Sequence, residues 1–169
     1  GSFLGPMAER FAASCRRQGR PWLDGAAALI AYEIDPLAAE TARKVTVDRL
    51  VACGVPHGDA VKLARTWVRV GDYLVDAPRL PKADYVIGNP PYVRLEEIGA
   101  EALSFYRNAY PTMRGRADLY IAFYEAALRQ LAVGGVCAFL CADRWMSNQY
   151  GTELRRFIAQ GYAVETVVG

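Results

Sequence analysis

Runs of apolar residues that fit buried strands alternate along this chain with stretches in which apolar residues recur at helical spacing. Strands are predicted at residues 26–35, 67–74, 84–88, 136–142 and 163–168. Helices are predicted at residues 6–18, 37–52, 58–65, 100–109, 118–131 and 149–159, where the spacing is three or four residues. This alternation predicts an α/β fold with a doubly wound, mostly parallel sheet covered by helices on both faces.

Polar residues stand where three of the predicted strands end. Glu33 and Asp35 close the first strand, Gly71–Asp72 interrupt the end of the second, and Asn89–Tyr92 follow the third. Ligands of open parallel sheets bind beyond the carboxyl ends of the strands. We therefore expect these residues to lie along one ligand-binding edge.

The acidic residues at this edge suit a nucleoside. A carboxylate accepts hydrogen bonds from both ribose hydroxyl groups, and Glu33 is the favoured residue for this, with Asp35 as the second choice. Asp35 can instead cap the helix that begins at Pro36. Asp72 can accept a hydrogen bond from an adenine amino group, or it can be an ordinary turn residue.

The tetrapeptide Asn89–Tyr92, which reads Asn-Pro-Pro-Tyr, suits chemistry on a planar amino group. The nitrogen of such a group is a poor nucleophile, because its lone pair is delocalised. The Asn89 side-chain carbonyl and the Pro90 main-chain carbonyl could accept hydrogen bonds from its two N–H groups and localise that lone pair. Tyr92 offers a flat face on which a base can stack. The plain alternative is a strand that two prolines terminate.

Composition and charge exclude few classes of protein. The chain has 169 residues, is 53% hydrophobic and carries a net charge of +2, which suits one globular domain and does not by itself indicate a nucleic-acid partner. No apolar run is long enough to cross a membrane, and the charged first helix does not fit a signal peptide. The cysteines have no metal-ligand spacing, so we expect buried, reduced thiols and no metal site. The single histidine, His57, is interpreted as a turn residue.

Several segments together resemble the S-adenosylmethionine-dependent adenine-N6 DNA methylases of restriction–modification systems, especially the large fused, type IIG kind. Residues 84–94, "DYVIGNPPYVR", resemble the catalytic motif of that family. "YEID", "VGDYL" and "GRADLYIAFYEAAL" resemble its cofactor-binding motifs, and they occur in the family's order. The resemblance covers nearly the whole chain. It implies the Rossmann-like class I methyltransferase fold, a double-stranded DNA substrate and a bacterial cytoplasmic enzyme, with a nuclease and a recognition domain that are fused or separate.

The resemblance also assigns roles to individual residues. The catalytic residues that it implies are Asn89, Pro90, Pro91 and Tyr92. The residues implied for binding S-adenosylmethionine are Gly1, Phe3, Leu4, Glu33, Ile34, Asp72, Tyr73, Asn89, Asp118 and Phe123. Those implied for the DNA substrate are Tyr92, Arg94, Arg114 and Arg116. For the arginines, a solvated surface loop is the equal alternative.

The chain departs from the family pattern at both ends. The family's Gly-rich cofactor loop and its preceding strand are expected before residue 1, and "GSFLG" resembles the tail of that loop or begins with a Gly-Ser cloning scar. The target recognition region is expected after Gly169. Residues 1–169 are therefore interpreted as a partial methyltransferase domain that lacks its first strand.

Other functions remain open at this stage. The Asn-Pro-Pro-Tyr tetrapeptide also occurs in enzymes that methylate the glutamine of release factors or the N2 amine of RNA guanine. Cytosine-N4 methylases more often carry serine at the position of Asn89, which favours adenine. A cofactor-fold domain that binds DNA without turnover is the alternative from a different class.

Overall fold

The structure is a computed structural model that describes residues 3–168 of the chain. The chain divides after Tyr73 into two compact units, which the structure describes over residues 3–73 and 74–168. Gly1, which the resemblance assigns to the cofactor, lies outside the described residues. Each unit contains helices and one pair of parallel strands. The expectation of a mixed α/β fold with parallel strand pairing is therefore confirmed.

The first unit contains three helices of two turns or more and one strand pair. The helices are α1 (Leu4–Gln18), α2 (Pro36–Ala52) and α3 (His57–Trp67), and the strands are β1 (Ala31–Glu33) and β2 (Val68–Val70). β1 and β2 pair in parallel, with Ala31 opposite Val68 and Glu33 opposite Val70. α2 begins abruptly because proline fits the first helical turn and Asp35 caps the helix, accepting from the Leu37 amide at 2.9 Å.

The core of the first unit lies between its helices. Ala8, Leu50, Leu63 and Trp67 are buried together, and the Phe11 ring meets the Trp67 ring edge-on, with 4.9 Å between ring centroids. This cluster explains why α1 and α3 show the helical periodicity that predicted them.

The second unit contains the longer strand pair. After the short helix α4 (Tyr73–Asp76), its elements are β3 (Ala83–Gly88), α5 (Ala100–Ala109), α6 (Leu119–Gln130), β4 (Leu131–Phe139) and α7 (Thr152–Gly161). β3 and β4 pair in parallel, with a register shift between Ala83 and Tyr85. Gly134 and Gly135 occupy this irregularity. A Cβ atom on Gly135 would lie 3.0 Å from the Ala83 carbonyl oxygen, so the close approach favours glycine there.

The two faces of the β3–β4 pair differ in exposure. Val86 and Cys137 lie opposite each other and are half-buried, and helix α6 packs near both strands. Tyr85 and Val136 point to the other face and are exposed. Apolar side chains on both faces explain why these segments look like fully buried strands in the sequence.

The strand predictions were wrong in extent at several places. The run 26–35 is a strand only at Ala31–Glu33, and the run 67–74 only at Val68–Val70. The residues before β1 form a helical turn, Trp22–Gly25, and those after β2 begin α4. Residues 163–168 form no strand, and Val164 and Val168 are exposed. An apolar run becomes a strand only where a neighbouring strand completes its hydrogen bonds, which these termini do not have within the described residues.

The cysteines are less buried than expected. All four are free thiols, but only Cys15 is buried and the other three are half-buried, so the expectation of buried thiols was too general. None of the helices in residues 3–168 is long and apolar enough to cross a membrane. Within the same residues, His, Cys, Asp and Glu side chains form no group of three that could hold a metal ion.

Gly151→Ala should destabilise the protein, because the new Cβ atom would overlap the Trp145 carbonyl oxygen. Overpacking of this kind costs about 1–3 kcal/mol. Gly161→Ala is the matched control, since a Cβ atom at Gly161 meets nothing within 4 Å. Thermal or urea unfolding of the full-length protein should show a lower midpoint for the first variant alone. Equal midpoints for both variants would contradict the close approach.

Candidate functional site

In the first unit, the two acidic residues at the end of β1 make different hydrogen bonds. One Glu33 carboxylate oxygen, Oε1, accepts from the backbone amides of Ile34 at 3.0 Å and Asp35 at 3.4 Å. Within residues 3–168, the other oxygen, Oε2, accepts no hydrogen bond. The Asp35 carboxylate caps α2, so the interpretation of Asp35 as a helix cap is confirmed. Glu33 is therefore the better candidate to accept hydrogen bonds from ribose hydroxyls.

The ends of β1 and β2 are tied together beside Glu33. The Gly71 amide donates to the Glu33 carbonyl oxygen at 3.0 Å, and Asp72 comes two residues after Val70, the strand partner of Glu33. The Tyr73 ring lies 5.9 Å from the Tyr32 ring. Asp72 and Tyr73 are both half-buried. This edge brings two of the predicted cofactor residues, Glu33 and Asp72, into adjacent strand ends.

The other predicted cofactor residues of the first unit differ in burial. Phe3 immediately precedes α1 and is exposed, and Ile34 is exposed beyond β1. Leu4 is buried with Ala39 and Val68. The structure thus gives Leu4 a packing role, and its cofactor contact stays a prediction.

In the second unit, the tetrapeptide begins where the parallel ladder ends. Gly88 is the last residue of β3, and its carbonyl oxygen accepts from the Leu140 amide at 3.0 Å. Asn89 follows and is exposed, while Pro90 is buried. Across the described chain, neither the Asn89 side chain nor the Pro90 carbonyl makes a hydrogen bond. Because proline lacks an N–H group, the parallel ladder cannot continue past Asn89.

A series of five aromatic rings in the second unit begins at the last residue of the tetrapeptide. We call these rings the aromatic column: Tyr92, Tyr120, Tyr124, Phe139 and Trp145. The Tyr92 ring lies 6.1 Å from that of Tyr120, and Tyr120 lies 6.5 Å from Tyr124. Tyr124 in turn lies 5.0 Å from Phe139 and 5.4 Å from Trp145. Tyr92 is 60% exposed, whereas Tyr120 and Trp145 are buried. The column therefore presents one accessible ring on a packed aromatic base.

Two hydroxyl groups inside the column have polar partners. The Tyr120 and Tyr150 hydroxyl oxygens are 2.9 Å apart, and the Tyr124 hydroxyl lies 2.9 Å from the Cys141 sulfur. Burial, together with the hydrogen bond to Tyr150, raises the pKa of Tyr120 above its ordinary value. Burial also raises the pKa of Tyr124, and it raises the pKa of the Cys137 thiol to about 12. These groups are therefore uncharged near neutral pH.

The two remaining predicted cofactor residues, Asp118 and Phe123, lie at the start of helix α6 and within it. Asp118 precedes the helix at its N-cap position, yet its side chain makes no capping hydrogen bond there. Phe123 lies in the second turn and is half-buried. Asp118 is two residues from Tyr120, so helix α6 places it near the aromatic column.

The segment between α5 and α6 presents two of the predicted DNA-contacting arginines, and we call residues 110–117 the arginine loop. Tyr110, Thr112, Met113 and Ala117 are buried and anchor it. Between these anchors, Arg114, Gly115 and Arg116 are exposed. Gly115 has a φ of 63°, a left-handed conformation that suits glycine. Arg94 is also exposed, at the start of the turn Leu95–Glu97.

A buried carboxylate in α6 fixes this loop. Glu125 is 1% exposed, and its Oε2 atom accepts from the Thr112 amide at 2.9 Å and from the Thr112 hydroxyl at 2.6 Å. Its Oε1 atom is in ion-pair contact with Arg129 without hydrogen-bond geometry. Arg107 also donates to the Gly115 carbonyl oxygen at 2.9 Å, so this arginine braces the loop. The two exposed arginines are thus displayed on a fixed backbone.

Comparison with known proteins places the chain in a family. Residues 78–169, more than half of the chain, match the Eco57I restriction-modification methylase family, and the chain belongs to that family. It is 42% identical over 166 residues to the Type II methyltransferase M.XhoI of Xanthomonas vasicola, which covers 96% of this chain and 30% of that protein. It is 39% identical over 171 residues to M.PaeR7I of Pseudomonas aeruginosa, covering 99% of this chain and 30% of that protein.

These relatives are much longer than this chain. The chain spans about 30% of the length of M.XhoI and M.PaeR7I. M.BstVI of Geobacillus stearothermophilus is 40% identical over 109 residues, which covers 63% of this chain and 19% of that protein. The family match contains the tetrapeptide Asn89–Tyr92, the arginine loop and the aromatic column.

Sequence reasoning missed Glu125, Tyr120 and Tyr150 as residues of this site. Tyr120 and Tyr124 are four residues apart on a predicted helix, which is a spacing that places two side chains on one face. That signal could have identified them as a pair. The contacts of Tyr120 with Tyr92 and Tyr150 join residues distant in sequence, so no local pattern contained them.

Glu125→Ala should destabilise the protein by about 2–4 kcal/mol, because it leaves the Thr112 amide buried without its acceptor and removes the partner of Arg129. The measurement is urea unfolding of the full-length protein. Glu153→Ala is the control, since the Glu153–Arg156 pair lies at the surface, where a pair contributes little. If both variants lost the same small amount of stability, the anchoring role of Glu125 would be wrong.

Proposed function

We propose that the protein transfers a methyl group from S-adenosylmethionine to the exocyclic N6 amine of adenine in double-stranded DNA, as part of a bacterial, cytoplasmic restriction–modification system. The observation that carries this proposal is the end of β3. There, the Asn89 side chain and the Pro90 carbonyl stand without hydrogen-bond partners in the described residues, next to the exposed ring of Tyr92. Family membership supports methyl transfer as the reaction class.

Asn89 and Pro90 are proposed to activate the target nitrogen. Their two carbonyl oxygens accept hydrogen bonds from the two N–H groups of the amine and so localise its lone pair. Both acceptors are held in place by the β3 ladder and by proline ring geometry, so they need not rearrange as charge develops. No strong base is required, because the amine becomes acidic once it is alkylated and loses its proton to water.

Tyr92 is proposed to bind the target base. An adenine within a duplex is inaccessible, so the enzyme must take it out of the base stack, and an aromatic ring compensates for part of that cost. The Tyr92 ring is exposed and is supported by the Tyr120 ring. Arg94, Arg114 and Arg116 are proposed to contact the DNA backbone, since exposed arginines on a fixed loop suit phosphates.

In the first unit, Glu33 and Asp72 are proposed to hold the cofactor, and this donor set fits a nucleoside. The Glu33 Oε2 atom and the Asp118 carboxylate are not used in helix capping, unlike Asp35. Within the first unit, we assign the ribose hydroxyls to Glu33 and the adenine amine to Asp72, with contacts from Phe3, Leu4, Ile34 and Tyr73. In the second unit, Asp118 and Phe123 are proposed separately as cofactor-binding residues. When bound, S-adenosylmethionine supplies an electrophilic methyl group that leaves its sulfur as the new C–N bond forms.

The complete catalytic domain is proposed to have the doubly wound sheet of class I methyltransferases. Parallel pairing in both units supports this, because parallel strands occur almost only where helices cover the sheet. A recognition domain and a nuclease, fused or separate, are proposed as its partners.

The full-length protein, incubated with isotope-labelled S-adenosylmethionine and mixed genomic DNA, should yield labelled N6-methyladenine. The DNA is digested to nucleosides, and the product is identified by mass spectrometry. Labelled N4-methylcytosine would contradict the adenine assignment while keeping the reaction class. Label in RNA or protein, or cofactor binding without turnover, would contradict DNA methylation.

Asn89→Ala should lower kcat by at least about 100-fold, as loss of a preorganised polar contact to a developing charge does. Cofactor affinity, measured by calorimetry, should fall far less than kcat, because the main role proposed for Asn89 is at the target amine. Asn108→Ala is the control, because Asn108 is an exposed asparagine on α5. Near wild-type turnover by the Asn89 variant would rule out this mechanism.

Tyr92→Ala should lower activity by about tenfold or more, whereas Tyr92→Phe keeps the ring and should change it little.

A further inference from the structure

We propose that Tyr120 is a positioning residue for the target base, and that its hydrogen bond to Tyr150 fixes the orientation of the Tyr92 ring. This inference rests on the proposed function, since it concerns the ring on which the adenine stacks. It adds two residues, on α6 and on the turn before α7, to the tetrapeptide that follows β3.

Tyr92 depends on Tyr120 for its side-chain support. Tyr92 is 60% exposed, and among the described residues its ring has one aromatic neighbour, Tyr120, at 6.1 Å with a 55° angle between the ring planes. The Tyr92 hydroxyl makes no hydrogen bond within residues 3–168. The backbone before it is restricted by Pro90 and Pro91, but proline does not fix the side-chain torsions of the next residue. The tilt of the Tyr92 ring is therefore set by the surface of Tyr120.

Tyr120 itself is held from several directions. It is 1% exposed, lies in the first turn of α6 and contacts the Tyr124 ring at 6.5 Å. Its hydroxyl meets the Tyr150 hydroxyl at 2.9 Å. A shift of Tyr120 would have to break this bond and disturb a packed column, so its ring offers Tyr92 a fixed surface.

The Tyr150 end of the bond is also anchored. Tyr150 belongs to the turn Gln149–Gly151, and Arg155 of α7 donates to the carbonyl oxygens of Trp145 at 2.5 Å and Asn148 at 2.9 Å. Gly151 lies against the Trp145 backbone so closely that a Cβ atom would not fit. The hydroxyl pair thus connects the ring next to Tyr92 with a rigid turn. Without such an anchor, a hydroxyl partner could not fix an orientation.

The ordinary explanation of this pair is that a buried hydroxyl must have a hydrogen-bond partner. That explanation predicts a loss of stability without a change in catalysis. The positioning role predicts a slower reaction at unchanged cofactor affinity. A role for Tyr120 as a base is excluded by its environment, because burial and the Tyr150 hydroxyl raise its pKa and keep it protonated near neutral pH.

The experiment compares Tyr120→Phe, Tyr150→Phe and the double variant in the full-length protein, using single-turnover methylation of a duplex. Each single variant keeps its ring and removes the bond, and we expect each to slow methyl transfer by about threefold to tenfold. The double variant should be no slower than the slower single one, because both remove the same bond. The rate reduction should be constant between about pH 6 and 9, since the raised pKa of Tyr120 keeps its hydroxyl protonated there.

A second readout follows the base directly. 2-Aminopurine at the target position brightens when it leaves the stack and dims when it stacks on a protein ring. Tyr120→Phe should alter this bound-state fluorescence while the dissociation constant for S-adenosylmethionine stays within about twofold. Tyr162→Phe is the matched control, since it removes a hydroxyl bond to the Leu128 carbonyl at 2.9 Å, and its ring contacts Phe157 instead of the column.

The outcomes separate this inference from the proposed function. Stable Tyr120→Phe protein with wild-type rate and fluorescence overturns the positioning role, while the active wild type leaves the proposed function intact. Independent rate reductions that multiply in the double variant overturn action through the shared bond. An equal rate reduction in Tyr162→Phe also overturns the inference, because it indicates a general loss of stability. A wild-type protein that methylates no DNA overturns both proposals.

Discussion

The parallel pairing of β3 with β4 is the constraint on which the candidate catalytic site depends. The ladder runs through Gly88 and Phe139 and ends with the bond from the Leu140 amide to the Gly88 carbonyl. A strand that continued past Gly88 would use its carbonyl groups in the next bonds of the sheet. The two prolines interrupt the ladder at this point, because they cannot donate the hydrogen bonds that a continuing strand would need. The sheet therefore fixes the position of Asn89 and Pro90, and the prolines keep their acceptors out of its hydrogen bonding.

Helix α6 connects this edge to the rest of the second unit. Asp118 immediately precedes it, its first turn carries Tyr120, and the buried Glu125 in its second turn holds Thr112 of the arginine loop. One rigid element thus supports the ring next to Tyr92 and the loop that displays Arg114 and Arg116. A displacement of α6 would disturb the proposed base-stacking ring and the proposed phosphate contacts together.

Sequence patterns predicted the helices and the position of the tetrapeptide well, because both are local. Helix α2, for example, is specified by its cap and its proline, and β3 by an apolar run that stops at Asn89. Residues 163–168 have the same apolar character but form no strand, since strand formation requires a neighbouring strand. The hydroxyl pair of Tyr120 and Tyr150 was not predictable for the same reason: thirty positions separate its members, and only packing brings them together.

The anchoring of the arginine loop has a thermodynamic consequence for any ligand that it contacts. Ordering a flexible backbone costs about 1–2 kcal/mol of conformational entropy for each residue. In this loop Tyr110, Thr112 and Met113 are buried, so that loss occurs when the protein folds. A polyanion that meets Arg114 and Arg116 then has to immobilise two side chains, while the peptide segment between them is already ordered. Its affinity should therefore follow ionic strength closely, with little contribution from loop folding.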